Sequence, residues 1–201
     1  MTTSSRVFKF KEQIISIYYG AKGFVLLRFS KKTKLMNKQL KERIMLAITE
    51  VNGCEMCSFI HTKLALSSGM SRENIKKILD GDTTSIPIDD AVAVMFGQDY
   101  AYSKECPSAE SIKRIIDEYG YQKAELIVAA SNMITMTNGM GTSMDYFYRR
   151  LKFKRNRNSN ILIELFNPLF TMLLFPLFVL FFSIKTLLGS KPKTLNTVCS
   201  T

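Results

Sequence analysis

Within the eight residues Cys54-Glu55-Met56-Cys57-Ser58-Phe59-Ile60-His61, this chain gathers two of its four cysteines and its only histidine. A vicinal dithiol can be oxidised to a disulfide, and an imidazole beside it can move the protons that such chemistry releases. A helix over residues 54–68 separates Cys54 from Cys57 by three positions and Cys57 from His61 by four, so all three project from one face. The breaker pair Asn52-Gly53 sets Cys54 at or near the N-terminus of that helix. There the unpaired N–H groups and the positive end of the helix dipole favour a thiolate over a thiol.

Glu42 stands twelve positions before Cys54, which extends the pattern to E-x11-C-x-x-C-x-x-x-H. This pattern resembles the signature of the carboxymuconolactone decarboxylase superfamily, and within it the alkyl hydroperoxidase D branch. Ser68-Gly69-Met70-Ser71-Arg72-Glu73-Asn74-Ile75 is similar to that family's Gly-x-Ser-x-Glu approach to its next helix. The resemblance covers residues 35–150. It implies an all-α, oligomeric helical bundle that reduces hydroperoxides through a transient Cys54–Cys57 disulfide. Carried over, Cys57 attacks the peroxide, Cys54 resolves, and Glu42 and His61 relay protons. No metal or organic cofactor is implied. The partners implied are a hydroperoxide, an unidentified thiol reductant and further copies of the chain. Met56 departs from the best-known hydroperoxidases, which carry a second histidine inside the C-x-x-C. The lactone decarboxylase activity that names the superfamily is not associated with such a dithiol.

Other readings of the same residues stand beside this one. A C-x-x-C can hold structural zinc, but zinc takes four ligands, and the motif offers three with Cys106 to spare. Cysteines can also be plain buried packing. A glutamate among Lys38, Lys41 and Arg43 can be a solvated ion-pair partner, and Glu50 and Glu55 compete with it by proximity. Two further function classes follow: a thiol-disulfide exchange partner or redox sensor, and a non-catalytic membrane-bound scaffold of the same fold. Cys106, before Pro107, reads as incidental, and Cys199 has no assigned role. The methionines at 133, 136, 140 and 144 read as core or subunit-interface packing.

The net charge of +11 is uneven. Residues 1–43 carry 11 Lys and Arg against 2 Glu, residues 44–148 carry 8 against 14 acidic residues, and residues 149–201 carry 9 against 1. The motif therefore sits in an acidic body between two basic flanks. That pattern, with no recognition motif, argues against a nucleic-acid partner. Met1 to Gln13 is polar and basic, unlike a secretory signal.

The elements that must position the motif are helical throughout. Residues 1–34 form an amphipathic, basic N-terminal segment, with apolar residues at helical spacing over 7–29 and Gly20 and Gly23 weakening its continuity. Residues 35–148 form the alkyl hydroperoxidase D-like domain. Its first helix, 38–51, has Asn37 as N-cap and is apolar nearly all round, so it is buried. That burial predicts an upward shift of the Glu42 pKa. Helices follow at 54–68, 72–80 capped by Ser71, about 89–104, 109–118 and about 122–137. Asn138-Gly139-Met140-Gly141 is expected to interrupt before a last helix near 143–153. The absence of period-two strands argues against a thioredoxin fold. Residues 149–160 are a polybasic linker, 161–188 a transmembrane helix, with an in-plane anchor or an oligomerisation helix as the alternatives, and 189–201 a short tail. Leu165 to Ile184 is twenty residues without a charge, long enough to cross a hydrocarbon core of roughly 30 Å. The heavier basic cluster before it predicts a single-pass membrane protein with the body on the cytoplasmic side.

Overall fold

The computed structural model describes residues 5–195. Among them the ordered elements are helices: α1 (Phe10–Phe29), α2 (Lys38–Asn52), α3 (Glu55–Ser67), α4 (Arg72–Leu79), α5 (Ile88–Tyr102), α6 (Ala109–Leu151) and α7 (Ile161–Leu187), with a 3-10 turn over Lys31–Thr33. The expected all-α architecture is present. Cys199 lies outside the described residues.

Capping explains several of the boundaries. Asn37, Ser71 and Ser108 each accept a backbone N–H three residues on, from Leu40, Asn74 and Ser111, at 2.7, 3.1 and 3.1 Å. Each thereby satisfies a donor that the first helical turn leaves open. Gly53 ends α2 in the left-handed region at φ 68°, a conformation that costs a residue with a Cβ but not glycine.

α2 lies at the centre. Leu40, Ile44 and Ile48 pack with Phe96 and Tyr100 of α5 and with Ile127 and Ile134 of α6. Its other side, through Leu46 and Ala47, packs with Ala65 of α3 and with Ile75 and Ile78 of α4. A buried ion pair, Arg43–Asp90 at 2.6 Å, ties α2 to the first turn of α5.

The expected interruption at Asn138–Gly141 is absent. α6 runs through it, and its one departure from helical geometry is Gly120, at φ 73° and ψ 159°. The glycines serve close approach instead. A Cβ on Gly139 would stand 2.0 Å from Gln13 Oε1 of α1. α1 is also continuous through its glycines, for the same reason. A Cβ on Gly20 would meet the Met136 side chain at 2.7 Å, and one on Gly23 the Ala129 carbonyl oxygen at 2.4 Å. Small residues let the two backbones touch.

α7 is the one helix among the described residues long and apolar enough to cross a membrane. It does not stand apart from the body. It returns antiparallel along α6 and packs on α1 by a polar stripe. Glu164 takes a two-pronged contact from Arg150, at 2.5 and 2.7 Å. Asn167 donates to the Phe8 carbonyl and to Ser143 Oγ at 2.9 and 3.0 Å. Gln13 donates to Thr171 Oγ1 at 2.8 Å. Glu164 and Asn167 are each 1 % exposed. The opposite face, including Leu165, Leu169, Met172, Leu173, Leu177 and Leu180, is exposed.

Candidate active site

The turn from α2 to α3 builds the cysteine site. The Gly53 N–H bonds the Thr49 carbonyl at 2.9 Å, and the reversed chain delivers Cys54 directly to the N-cap of α3. Cys54 Sγ accepts the Cys57 N–H at 3.3 Å. The Cys54 sulfur thus occupies the place where a capping oxygen usually sits, on the side of the helix that stabilises negative charge. Cys54 and Cys57, with Cα atoms 5.3 Å apart, are joined as a disulfide. Cys57 Sγ lies 3.5 Å from the Thr137 carbonyl oxygen of α6, an acceptor for the thiol when reduced.

Both sulfurs are enclosed, with Cys54 1 % and Cys57 4 % exposed. Two features close them in. On one side, the N-terminal segment crosses the turn: Tyr146 OH donates to the Ser5 carbonyl at 2.8 Å, and the Arg6 N–H bonds the Asn52 carbonyl at 2.9 Å. On the other side lies Gly141 of α6. A Cβ there would stand 2.8 Å from Cys54 Sγ and 2.9 Å from Cys57 Sγ. Gly141 thus leaves the space that the sulfur pair fills. Sequence reasoning read it as a helix breaker, and only its recurrence near other small residues in α6 could have hinted at close packing.

Glu42 and His61 meet across the α2–α3 interface. His61 Nδ1 and Glu42 Oε2 are 2.7 Å apart, and both side chains are buried, at 8 % and 3 % exposure. Lys41 Nζ holds the other carboxylate oxygen at 3.1 Å. The expected rise in the Glu42 pKa is therefore corrected. Burial does push it upward, but the His61 hydrogen bond and the Lys41 charge together bring it below its ordinary value of 4.5. An ionised Glu42 accepts a hydrogen bond from a proton on His61 Nδ1, which leaves Nε2 as the nitrogen to accept or return a proton. His61 sits one helical turn after Cys57, so that nitrogen belongs to the same helix as the sulfurs.

The competitors separate from this group. Glu55 is exposed and pairs with Arg149 at 2.8 Å. Glu50 is partly buried, and that burial shifts its pKa upward. Cys106 is itself disulfide-bonded and lies in the turn after α5.

The arrangement can accept and release two electrons at the sulfurs and handle protons at an oriented imidazole. No curated protein and no solved structure gives a significant match to the chain. Residues 21–85, from within α1 to the loop after α4, match the model of the carboxymuconolactone decarboxylase family, and that stretch holds Glu42, Cys54, Cys57 and His61 together.

Proposed function

We propose that this protein is a membrane-associated thiol oxidoreductase that reduces hydroperoxides through a Cys54–Cys57 dithiol/disulfide cycle. The observation that carries the reading is the bonded cysteine pair at the α3 N-terminus, with the Glu42–His61 pair one turn further on. The Cys57 thiolate attacks the terminal oxygen of R–O–O–H. An S–O bond forms, the O–O bond breaks, and the alkoxide leaves with a proton supplied by His61. Cys57 is then a sulfenic acid. The Cys54 thiol then attacks the Cys57 sulfur: an S–S bond forms, the S–O bond breaks, and the hydroxyl leaves as water with the Cys54 proton, the two electrons of the dithiol having gone to the peroxide. An external dithiol restores the pair by exchange. Attack on Cys57, the less buried sulfur, expels Cys54 as a thiolate onto the Cys57 N–H, which makes Cys54 a good leaving group.

The roles are separable by trapping. With peroxide and dimedone, Cys54→Ser is expected to accumulate a Cys57 adduct, and Cys57→Ser to give none. An adduct on Cys54 in Cys57→Ser would reverse the assignment. A reduced protein that exchanges readily with small disulfides but ignores peroxide would make it an exchange partner or redox sensor instead.

The membrane association rests on α7. A helix that crosses a bilayer alone meets lipid on every side, whereas the Glu164, Asn167 and Thr171 stripe of α7 is held by α1 and α6. We therefore favour an in-plane contact, with the outer leucine-rich face in the acyl region and the basic residues 149–157 and 185–193 near head groups. Self-association is a further part of the proposal. It is supported by the exposed Phe59 and Ile60 on α3.

A further inference from the structure

A cavity of about 780 Å³ opens beside the relay, between the C-terminal end of α1, the start of α2, the end of α3 and the middle of α6. Its volume falls in the range of roughly 300–1,000 Å³ typical of small-molecule sites. Its lining is two-sided. Leu27, Leu64, Leu126 and Met133 make an apolar floor, while Arg28, Lys31, Lys38 and Lys41 stand around it. Glu42 is the one acidic residue of the lining, and its carboxylate is already engaged by Lys41 and His61. Among the described residues, Arg28, Lys31 and Lys38 have no carboxylate within ion-pair distance. The positive end of α2, capped at Asn37, faces the same space and adds to the positive potential.

An apolar floor under uncompensated cations selects one chemistry. We infer that this cavity binds an amphipathic monoanion, a medium- or long-chain carboxylate whose head group rests among Lys31, Lys38 and Arg28 and whose chain covers Leu126 and Met133. Phe24 lines the cavity and also stacks edge-on against Phe175 of α7 at 5.6 Å, so the cavity adjoins the apolar outer surface. The ligand can arrive from water or from the acyl layer. Binding is independent of the redox reading. That the bound acid is the parent of the hydroperoxide substrate, brought to the wall where Glu42 stands, rests on it.

Equilibrium dialysis of the full chain in nanodiscs, against empty nanodiscs, tests the binding. Radiolabelled decanoate is expected to bind saturably. 1-Decanol, which lacks the charge, is expected to bind roughly tenfold or more weakly, the scale of one lost charge contact. Lys31→Glu with Lys38→Glu lies at exposed positions, so the fold survives; it should lose decanoate to a similar extent. Met133→Trp should abolish binding by filling the floor. Cys57→Ser should bind like the parent, which separates this claim from the fate of the peroxidase reading. Oleate placed in the bilayer is the second arm. Saturable oleate binding that vanishes in Met133→Trp, with or without decanoate binding, supports the site and marks the membrane as the source. Equal affinity for decanoate and decanol, uptake unchanged by both the charge-reversed and the filled variants, or no saturable binding in either arm would overturn it.

Discussion

In the proposed cycle, Glu42 and His61 handle the protons that the cysteines release and take up. Glu42 acts through the imidazole, so Glu42→Gln is expected to slow peroxide-driven oxidation by about 10–100-fold, as is usual for a group that orients a ligand or base. His61→Ala removes the proton carrier itself and should cost about 10²–10⁴-fold; stopped-flow consumption of thiol reads both. The pH behaviour follows from the depressed Glu42 pKa. A carboxylate held below its ordinary value contributes stability that is complete above pH 4.5 and fades as pH falls through the lower folded value. The melting-temperature gap between the parent and Glu42→Gln should therefore be full at pH 7 and shrink below pH 4.5. A gap that grew in acid would reverse the sign. Gly141→Ala tests the sulfur seat. Alanine is the better helix former by about 1 kcal/mol, yet its Cβ would overlap both sulfurs. The account predicts slower formation of the Cys54–Cys57 disulfide despite an intact helix, measured by oxidation with a small disulfide.

At the scale of elements, local chemistry in the sequence reached far. The N-caps Asn37 and Ser71, the Gly53 reversal and the nearly all-round burial of α2 depend on neighbours within a turn, and each lies where local pattern put it. What was not legible depended on distant partners. Gly139 and Gly141 looked like breaks because a helix propensity cannot report that Gln13 or two sulfurs press on them. The Glu42 shift was misjudged because burial was visible in the periodicity, while the His61 contact nineteen residues away was not. Close approach through glycine makes a prediction of its own. Gly23→Ala sets a Cβ against the Ala129 carbonyl and should cost about 1–3 kcal/mol as overpacking. Chemical denaturation measures this, and a neutral or stabilising result would mean that α1 does not seat on α6 as described. Asp90→Ala should cost about 3–5 kcal/mol by stranding the buried Arg43 charge.

For the whole molecule, α7 is long and apolar enough to cross a membrane, and it also carries a polar stripe that docks on α1 and α6. Glu164, Asn167 and Thr171 lie at i, i+3 and i+7, a spacing present in the sequence but overshadowed by twenty residues without a charge. Docking of that stripe gives the in-plane proposal a direct check. With the full chain in sealed vesicles, external trypsin should cut both in residues 152–157 and at Lys193. Protection of one end until detergent is added would mean that α7 crosses. The same docking argues for keeping α7 in every functional experiment, since its removal would uncover Arg150, Gln13 and Ser143.

The central claim is that Cys54 and Cys57 form a peroxide-driven couple. It is tested most directly by peptide mass spectrometry of the reduced full-length protein after a single equivalent of tert-butyl hydroperoxide, with Cys57→Ser in parallel. The account predicts rapid loss of about 2 Da, mapped to a Cys54–Cys57 disulfide and absent in the variant. Persistence of both thiols, or oxidation elsewhere in the chain at the same rate in Cys57→Ser, would contradict it.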